Sequence, residues 1–342
     1  MSVITIRENA SLKLYSTMRL GGTARFMCEV TSEDEVQEAV HFAKQHHLSC
    51  RVIGIGSNII WKDSGYDGLL IVNKIIGHKL HDDGTTVTFG AGLSWDVAVN
   101  FAVTHHLSGI EFLSLIPGTV GATPVQNVGA YGAEIKDTLI SLKAYDMKLA
   151  KFVELTNYEC GFTYRGSKFK SADSGRFIIT SITLSLSHNN PQPPFYDSLQ
   201  TYLDTHDTTE YTPGSIRQAV IAIRSAKLPD PSKIANNGSF FANPVINHAH
   251  YKKLQAEFTG IKGWVQKDGS VKIAAGWLIE QAGFSDYHDT QTGMATWHAQ
   301  SLVLVNEHAR STNDLLVFKQ KIVVAVQDKF GIDLVQEPEL LP

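Results

Sequence analysis

The chain has 342 residues, 43% hydrophobic and 19% charged, which is enough apolar material for two or three packed domains. A net charge of −4 argues against a large basic face and so against nucleic acid as the main partner. No run approaches the roughly 18 consecutive apolar residues of a membrane span. The opening Met-Ser-Val-Ile-Thr-Ile-Arg-Glu also lacks a basic start followed by an apolar core, so neither membrane insertion nor secretion is expected.

Ser32-Glu-Asp-Glu35 reads as a capping box opening a helix whose buried stripe is Val36, Ala39, Val40 and Ala43. A strand is expected at Arg51 to Ile55, then Gly54-Ile-Gly56-Ser-Asn58, then an extended run from Gly68 to Lys74. Thr85 to Gly92 alternates as a strand should, and Ser94 is expected to cap a helix carrying Trp95, Ala98, Phe101 and Ala102. Leu139 to Met147 and Arg176 to Leu186 read as strands. Thr212-Pro213 starts a helix with proline in the first turn, where its missing N–H costs little. Further helices are expected at His248 to Phe258, at Val271 to Ala282, and from Asn313 to Phe330, stopping at Gly331. Strands and helices are mixed without strict alternation, which predicts α+β layers and not a clean doubly wound sheet. Boundaries are expected near Lys74 to Asp83 and at Lys227-Leu-Pro-Asp-Pro231.

Between Ile116 and Gly132 lie four glycines (Gly118, Gly121, Gly129, Gly132) and two prolines (Pro117, Pro124), so neither a regular helix nor a central strand fits. Such a loop can turn its amides outward toward phosphate. It is apolar apart from Thr119, Thr123, Gln126 and Asn127, as suits a loop folded on a flat apolar ligand with a charged tail, a flavin dinucleotide. A buried, tightly turned connector between strands is the alternative reading. Gly54-x-Gly56 follows a strand but lacks the third glycine, the helix and the distal acid of a Rossmann fingerprint, and that reading is rejected. What remains is a tight turn whose amides from Ile55 to Asn58, with the side chains of Ser57 and Asn58, can meet a pyrophosphate.

The three cysteines, Cys28, Cys50 and Cys160, are far apart and lack C-x-x-C spacing, which fits a reducing cytoplasm and no zinc site. His46-His47 and His105-His106 read as last-turn residues favoured by helix dipoles, not as metal ligands. In the second half, Tyr164-Arg165 supplies a fork of donors suited to a carboxylate, with a surface salt bridge as the plainer reading. Ser239, followed by two phenylalanines, is a hydroxyl that apolar rings could shield, or merely a capping serine. Lys227 could project into a cleft at a domain hinge and Glu337-Pro-Glu339 sets an acid beside a rigid neighbour, with a solvated charge as the plainer reading of both. No Ser-His-Asp, Cys-His or Walker signature is present.

Taken together these residues resemble the UDP-N-acetylenolpyruvoylglucosamine reductase family. The resemblance runs through Tyr15-Ser-Thr17, Gly21-Gly22, Gly54-Ile-Gly56-Ser-Asn58, Ile116 to Gly132, Phe162-Thr-Tyr164-Arg165, Lys227-Leu-Pro-Asp-Pro231, Gly238-Ser239-Phe-Phe-x-Asn243-Pro, Ala274-Ala-Gly276-Trp-Leu-Ile279 and Glu337-Pro-Glu339. It implies an α+β fold of the vanillyl-alcohol-oxidase type: an FAD-binding subdomain at 1–75 joined by 331–342, a second at 76–226, and a substrate-binding domain at 227–330. It implies non-covalent FAD held by Gly54, Ile55, Gly56, Ser57, Asn58, Pro117, Gly118, Thr119, Gly121, Ala122, Thr123, Gln126, Asn127, Gly129, Ala130 and Tyr131, with NADPH as hydride donor. Arg165, Ser239 and Glu337 are the implied catalytic residues. Tyr164, Tyr196, Lys227, Asn243 and Gln300 are the implied substrate contacts. The surroundings of Gln300, Thr296-Trp-His-Ala, depart from the usual pattern. Phe195-Tyr196-Asp-Ser-Leu199 resembles the extra segment of the family's longer form. The implied substrate is a UDP-sugar and the implied location cytoplasmic, with a monomer favoured. A sugar or alcohol oxidase of the same fold would often carry a flavin-linked His or Cys, which Leu113-Ser-Leu-Ile-Pro-Gly118 does not offer. A nucleotide-sugar binder without catalysis would have no need of a proton donor at Ser239.

Overall fold

The computed structural model describes residues 4–342. The chain divides into two compact units, neither contiguous in sequence. The first comprises residues up to Ala10, Ala24–Ile55 and Asp67–Ala226; the second Ser11–Thr23, Gly56–Tyr66 and Lys227–Pro342.

In the first unit α1 (Glu33–Gln45) buries Val36, Ala39, Val40 and Ala43, the stripe read from its spacing. Ser32 accepts from the Glu35 amide at 3.2 Å, but the Glu35 carboxylate reaches Thr31 instead of closing the box on Ser32. The helix lies with Cys28, Val30, Leu69 and Ile71 in one core, beside a sheet ordered Arg7–Ser11, Thr23–Val30, Tyr66–Asn73, Ser49–Ile53. The last two strands run parallel. A second sheet, antiparallel throughout, has the order Lys151–Thr156, Leu139–Asp146, Phe177–Ser185, Thr86–Gly90, His78–Leu80. Its core holds Phe89, Leu142, Ile182 and Leu184 with the face of α2 (Trp95–Thr104) formed by Trp95, Ala98, Val99 and Ala102. Ser94 makes no side-chain cap here; Asp96 supplies the first-turn negative charge. The helix α3 (Asp197–Thr205), which the sequence reading missed, buries Leu199 and Leu203 against Ile216, Val220 and Ile223 of α4 (Pro213–Lys227). The Thr212 hydroxyl accepts from the Ser215 amide at 3.1 Å and caps α4 as its sequence predicts.

The second unit has an antiparallel sheet ordered Ala235–Ser239, Gln300–Asn306, Met294–Trp297, His288–Asp289. Its core joins Phe240, Phe241, Met294 and Leu304 to α5 (His248–Glu257), α6 (Ala275–Gln281) and α7 (Thr312–Phe330). The helix expected over Val271 to Ala282 is corrected. Val271–Ile273 is the central strand of a small sheet between Val245–Ile246 and Gly263–Val265, and the helix begins only after Ala274. Two β-branched residues in Val-Lys-Ile suit a paired strand, and the pairing decides between the two forms. Gly331, at φ 64°, ends α7 as expected. The chain closes by laying Glu339–Leu341 parallel to Ile59–Trp61.

Candidate active site

In the first unit, Gly54 ends a strand edge directly against the long loop. A methyl group on Gly54 would stand 2.2 Å from the Thr119 hydroxyl, so the two glycine-bearing segments meet with no room for a side chain. Gly121 donates to the Ala91 carbonyl at 2.8 Å and would likewise drive a methyl to 2.6 Å from the Ala91 Cβ. The amide of Val120 is held by the Leu93 carbonyl, and the Gly118 carbonyl by the Trp95 amide at the start of α2. Thr119 and Thr123 are buried, Ala122 and Pro117 exposed, and Gln126 half-buried. Ile55, next to Gly54, is 43% exposed. An apolar rim on tightly packed backbone suits a flat ring system such as the flavin of FAD.

Asn127 has a second role. It is fully buried at φ 47°; its Nδ2 donates to Glu134 Oε2 at 3.0 Å and to the Thr163 carbonyl at 3.1 Å, and its Oδ1 accepts from the Lys136 amide. The side chain therefore pins the loop, and the amides of Val120 through Thr123, Val125, Asn127 and Val128 are taken up by main-chain carbonyls, which corrects the expectation of outward-turned amides over that stretch. Gly129–Ala130 and Ala133–Glu134 form a short hairpin whose turn residues, Tyr131 at φ 51° and Gly132 at φ 88°, are both left-handed, as a type I′ turn demands. Tyrosine in that conformation is strained, and such positions cluster at functional sites. Tyr131 meets Tyr196, the residue before α3, edge to face at 5.9 Å.

Arg165 sits at another tight turn. Thr163 and Gly166 exchange two main-chain bonds, at 3.0 and 3.2 Å, leaving Tyr164-Arg165 as the turn with Arg165 at φ 53°. Its guanidinium stands over the ring of Tyr164, which is 49% exposed. Two further arginines went unread in the sequence. On α4, Arg217 binds both oxygens of Asp96, and Arg224 interacts electrostatically with Tyr131 and Asp96. Burial pushes the Arg224 guanidinium down, opposed by Tyr131 and Asp96, and its Nε is buried without an acceptor. The available signal was their spacing of seven, which puts both on one face of α4.

The second unit holds the rest. Gly56, at φ 74°, would bring a methyl to 2.1 Å from the Tyr15 carbonyl, so the Tyr15-Ser-Thr17 motif and the Gly56-Ser57-Asn58 motif touch. The Gly21-Gly22 pair packs on Trp61 and Asp63 with equally little clearance. Ser57 and Asn58 are half-buried. Ser239 is exposed at the end of its strand, next to the fully buried Phe240 and Phe241, so its hydroxyl is not shielded by these rings alone. A bulge containing Gly238, at φ 69°, precedes it. Glu337 donates its amide to the Phe240 carbonyl at 2.9 Å, and Phe241 bridges Gln336. Ser239 and Glu337 therefore stand on adjacent backbones of one unit, whereas Arg165 belongs to the other.

Among the expected substrate contacts, Asn243 accepts the Ala275 amide at 3.0 Å and so satisfies the first turn of α6. Gly276, in that turn, leaves room for Gln300: a methyl there would lie 2.6 Å from Gln300 Oε1. Asn243 and Gln300 thus both converge on the start of α6. Lys227 is exposed at the C-terminal end of α4. Among the described residues no helix is long and apolar enough to cross a membrane.

Comparison with known proteins agrees with this anatomy. Residues 24–155 match the FAD binding domain model, and residues 230–341 match the C-terminal domain model of UDP-N-acetylenolpyruvoylglucosamine reductase. The reductase of that name from Ralstonia nicotianae is 39% identical over 333 residues, covering 96% of each chain. That from Neisseria gonorrhoeae is 39% identical over 342 residues, covering 98% of each. The crystal structure of the Thermus caldophilus reductase superposes with a TM-score of 0.70 at 22% identity, over 99% of this chain and 100% of that one, which shows a shared fold. With near-complete coverage at this identity, the chain belongs to the UDP-N-acetylenolpyruvoylglucosamine reductase family.

Proposed function

We infer that this protein is an FAD-dependent oxidoreductase that uses NADPH to reduce UDP-N-acetyl-3-O-(1-carboxyvinyl)-glucosamine to UDP-N-acetylmuramate for peptidoglycan synthesis. The observation that carries the reading is the near-full-length identity to reductases of that name. Bound FAD supplies the two-electron relay from NADPH to the alkene.

The chain's own residues have a defined task. Hydride addition at the alkene carbon far from the carboxylate leaves negative charge on the carbon beside it. That charge must be stabilised and then protonated from one face. Ser239 is assigned as the proton donor. Its neutral hydroxyl is a poor acid in water, so the step needs a very basic acceptor and a site that bound ligand closes to solvent. Arg165 is assigned to the substrate carboxylate, which its planar fork suits, and Glu337 to steadying the enol-like intermediate. Support for this pairing comes from the main-chain bond between Glu337 and Phe240, one residue from Ser239. Tyr164, Tyr196, Lys227, Asn243 and Gln300 are assigned to the UDP-sugar, with Asn243 and Gln300 meeting at the start of α6. The cofactor is assigned to Gly54 through Asn58 and, in the long loop, to Pro117, Gly118, Thr119, Gly121, Ala122, Thr123, Gln126, Asn127, Gly129, Ala130 and Tyr131. Residues 1–75 with 331–342, 76–226 and 227–330 are proposed as the two cofactor subdomains and the substrate domain of a cytoplasmic monomer.

The test is anaerobic. NADPH should bleach the flavin, and the enolpyruvyl UDP-sugar should restore its colour, with UDP-N-acetylmuramate as the product. An oxidase would recover its colour with O2 and be indifferent to the sugar; a binding protein would do neither.

A further inference from the structure

We propose that Asn237 is a positioning residue that sets the strand carrying Ser239 against the Ser57–Ile59 segment. The inference rests on the reaction proposed above. Asn237 is 7% exposed, and its Nδ2 faces three acceptors: Thr17 Oγ1 at 3.1 Å, the Ser57 carbonyl at 3.2 Å and the Ile59 carbonyl at 3.3 Å. Reversing the amide would point its oxygen at two carbonyls, so the orientation is fixed by the partners. The Oδ1 is buried with no hydrogen-bond partner among the described residues. A buried acceptor left unmade is unfavourable, and an alanine would avoid it. Keeping the amide therefore makes sense if its donors are needed.

The geometry shows the need. Asn237 is two residues before Ser239, and the intervening Gly238 forms the bulge that re-aims the strand, held by its own amide bond to Asn236 Oδ1 at 2.8 Å. On the far side, the Asn58 carbonyl accepts from the Glu339 amide at 3.0 Å, two residues after Glu337. Ser57–Asn58 is thus fastened to the Ser239 strand through Asn237 and to the Glu337 segment through Glu339. A loop assigned to the cofactor, the proton donor and the acid share one clamp, and Asn237 is its side-chain member. Sub-ångström slack in such a clamp would disturb proton delivery more than hydride acceptance.

The experiment uses the full-length, FAD-loaded protein as wild type, Asn237→Ala, Thr17→Val and Thr17→Ser. Flavin reduction by NADPH and reoxidation by the enolpyruvyl UDP-sugar are followed separately by anaerobic stopped flow. In Asn237→Ala, reoxidation should slow by about tenfold or more and its solvent deuterium isotope effect should rise, with reduction within about twofold of wild type. Thr17→Val, which removes one acceptor at constant shape, should show a weaker form of the same split; Thr17→Ser should restore wild-type behaviour. Amide hydrogen exchange in residues 57–61 of the FAD-free protein should quicken in Asn237→Ala. Equal slowing of both half-reactions, or unchanged reoxidation, would overturn the positioning role. A wild type that the sugar fails to reoxidise would sink the reaction instead. Exchange would then still decide whether the clamp exists, and unchanged exchange would overturn it.

Discussion

Arg217 grips Asp96 through both carboxylate oxygens, at 2.7 and 2.8 Å, across 121 residues of sequence. The same Asp96 Oδ1 accepts from the amide of Leu115 at 2.6 Å, immediately before the glycine-rich loop. One carboxylate therefore joins the start of α2, the root of the loop and α4. Burial alone would raise the Asp96 carboxyl, but the Arg217 bond, the Leu115 amide and the charges of Arg217 and Arg224 together hold it below the usual range.

Replacing Arg217 by alanine leaves that carboxylate without its counter-ion and loosens Leu115, which sits at φ 58°. The expected loss of stability is about 2 kcal/mol, as for hydrogen bonds to a charged group. Because Leu115 leads into the loop, FAD affinity should fall as well. Thermal unfolding of the FAD-free protein and FAD titration check the two effects. An unchanged flavin affinity would mean that the loop is held without Asp96.

A second prediction concerns Ser239. Removing the hydroxyl in Ser239→Ala should leave flavin reduction by NADPH nearly intact and slow the substrate-dependent half-reaction by at least about a hundredfold, the scale of general-acid catalysis. Stopped-flow measurement of each half-reaction separates the outcomes. Equal losses in both would remove Ser239 from the role of proton donor.

The motifs were legible because glycine and proline restrict the backbone in ways any fold must respect. Gly54, Gly121 and Gly238 each stand where a methyl or a left-handed φ is decisive. Helices with a clear stripe and cap, such as α1 and α7, were legible for the same local reason. What sequence did not carry was long-range partnership. Asn127 reads as a ligand donor until Glu134, Thr163 and Lys136 are seen to occupy its amide. Asn243 likewise spends its oxygen on α6. Val271–Ile273 continued a helical pattern and became a strand because two neighbouring strands offered pairing. The short α3 lay hidden between prolines and polar residues, its buried face resting on only Leu199 and Leu203.

A third prediction follows from Asp146, which is 1% exposed at the end of a central strand. Its bonds to Arg176, the shortest at 2.6 Å, outweigh the effect of burial, and the amides of Leu149 and Lys148 add to them. The carboxyl is held below its ordinary value, so the folded state favours the ionised form. Stability from this group is complete above the unfolded carboxyl value of about 4 and is lost as pH falls through the lower folded value. Wild type should exceed Asp146→Asn by about 2 kcal/mol near neutrality, as for hydrogen bonds to a charged group. The two melting curves should approach one another below about pH 4. Parallel curves down to acid would show that ionisation of Asp146 does not stabilise the fold.

The last prediction concerns the contact between Gly54 and Thr119. The three atoms nearest to a methyl on Gly54 all belong to the Thr119 side chain, the hydroxyl oxygen at 2.2 Å, Cγ2 at 3.0 Å and Cβ at 3.2 Å. Thr119 is 4% exposed and β-branched, so it cannot rotate away freely. Gly54→Ala must push the loop off the strand end, at a cost of about 1–3 kcal/mol typical of overpacking. Since both segments are assigned to the cofactor, FAD binding should weaken together with stability. Shortening the opposing side chain tests the cause. In Gly54→Ala/Thr119→Ala the oxygen and Cγ2 are gone, leaving a Cβ contact of 3.2 Å that a small shift relieves. The double variant should recover most of the flavin affinity lost by Gly54→Ala, and Thr119→Ala alone should cost little. If the double variant binds FAD no better than Gly54→Ala, Gly54 is required by the ligand itself and not by the packing of Thr119.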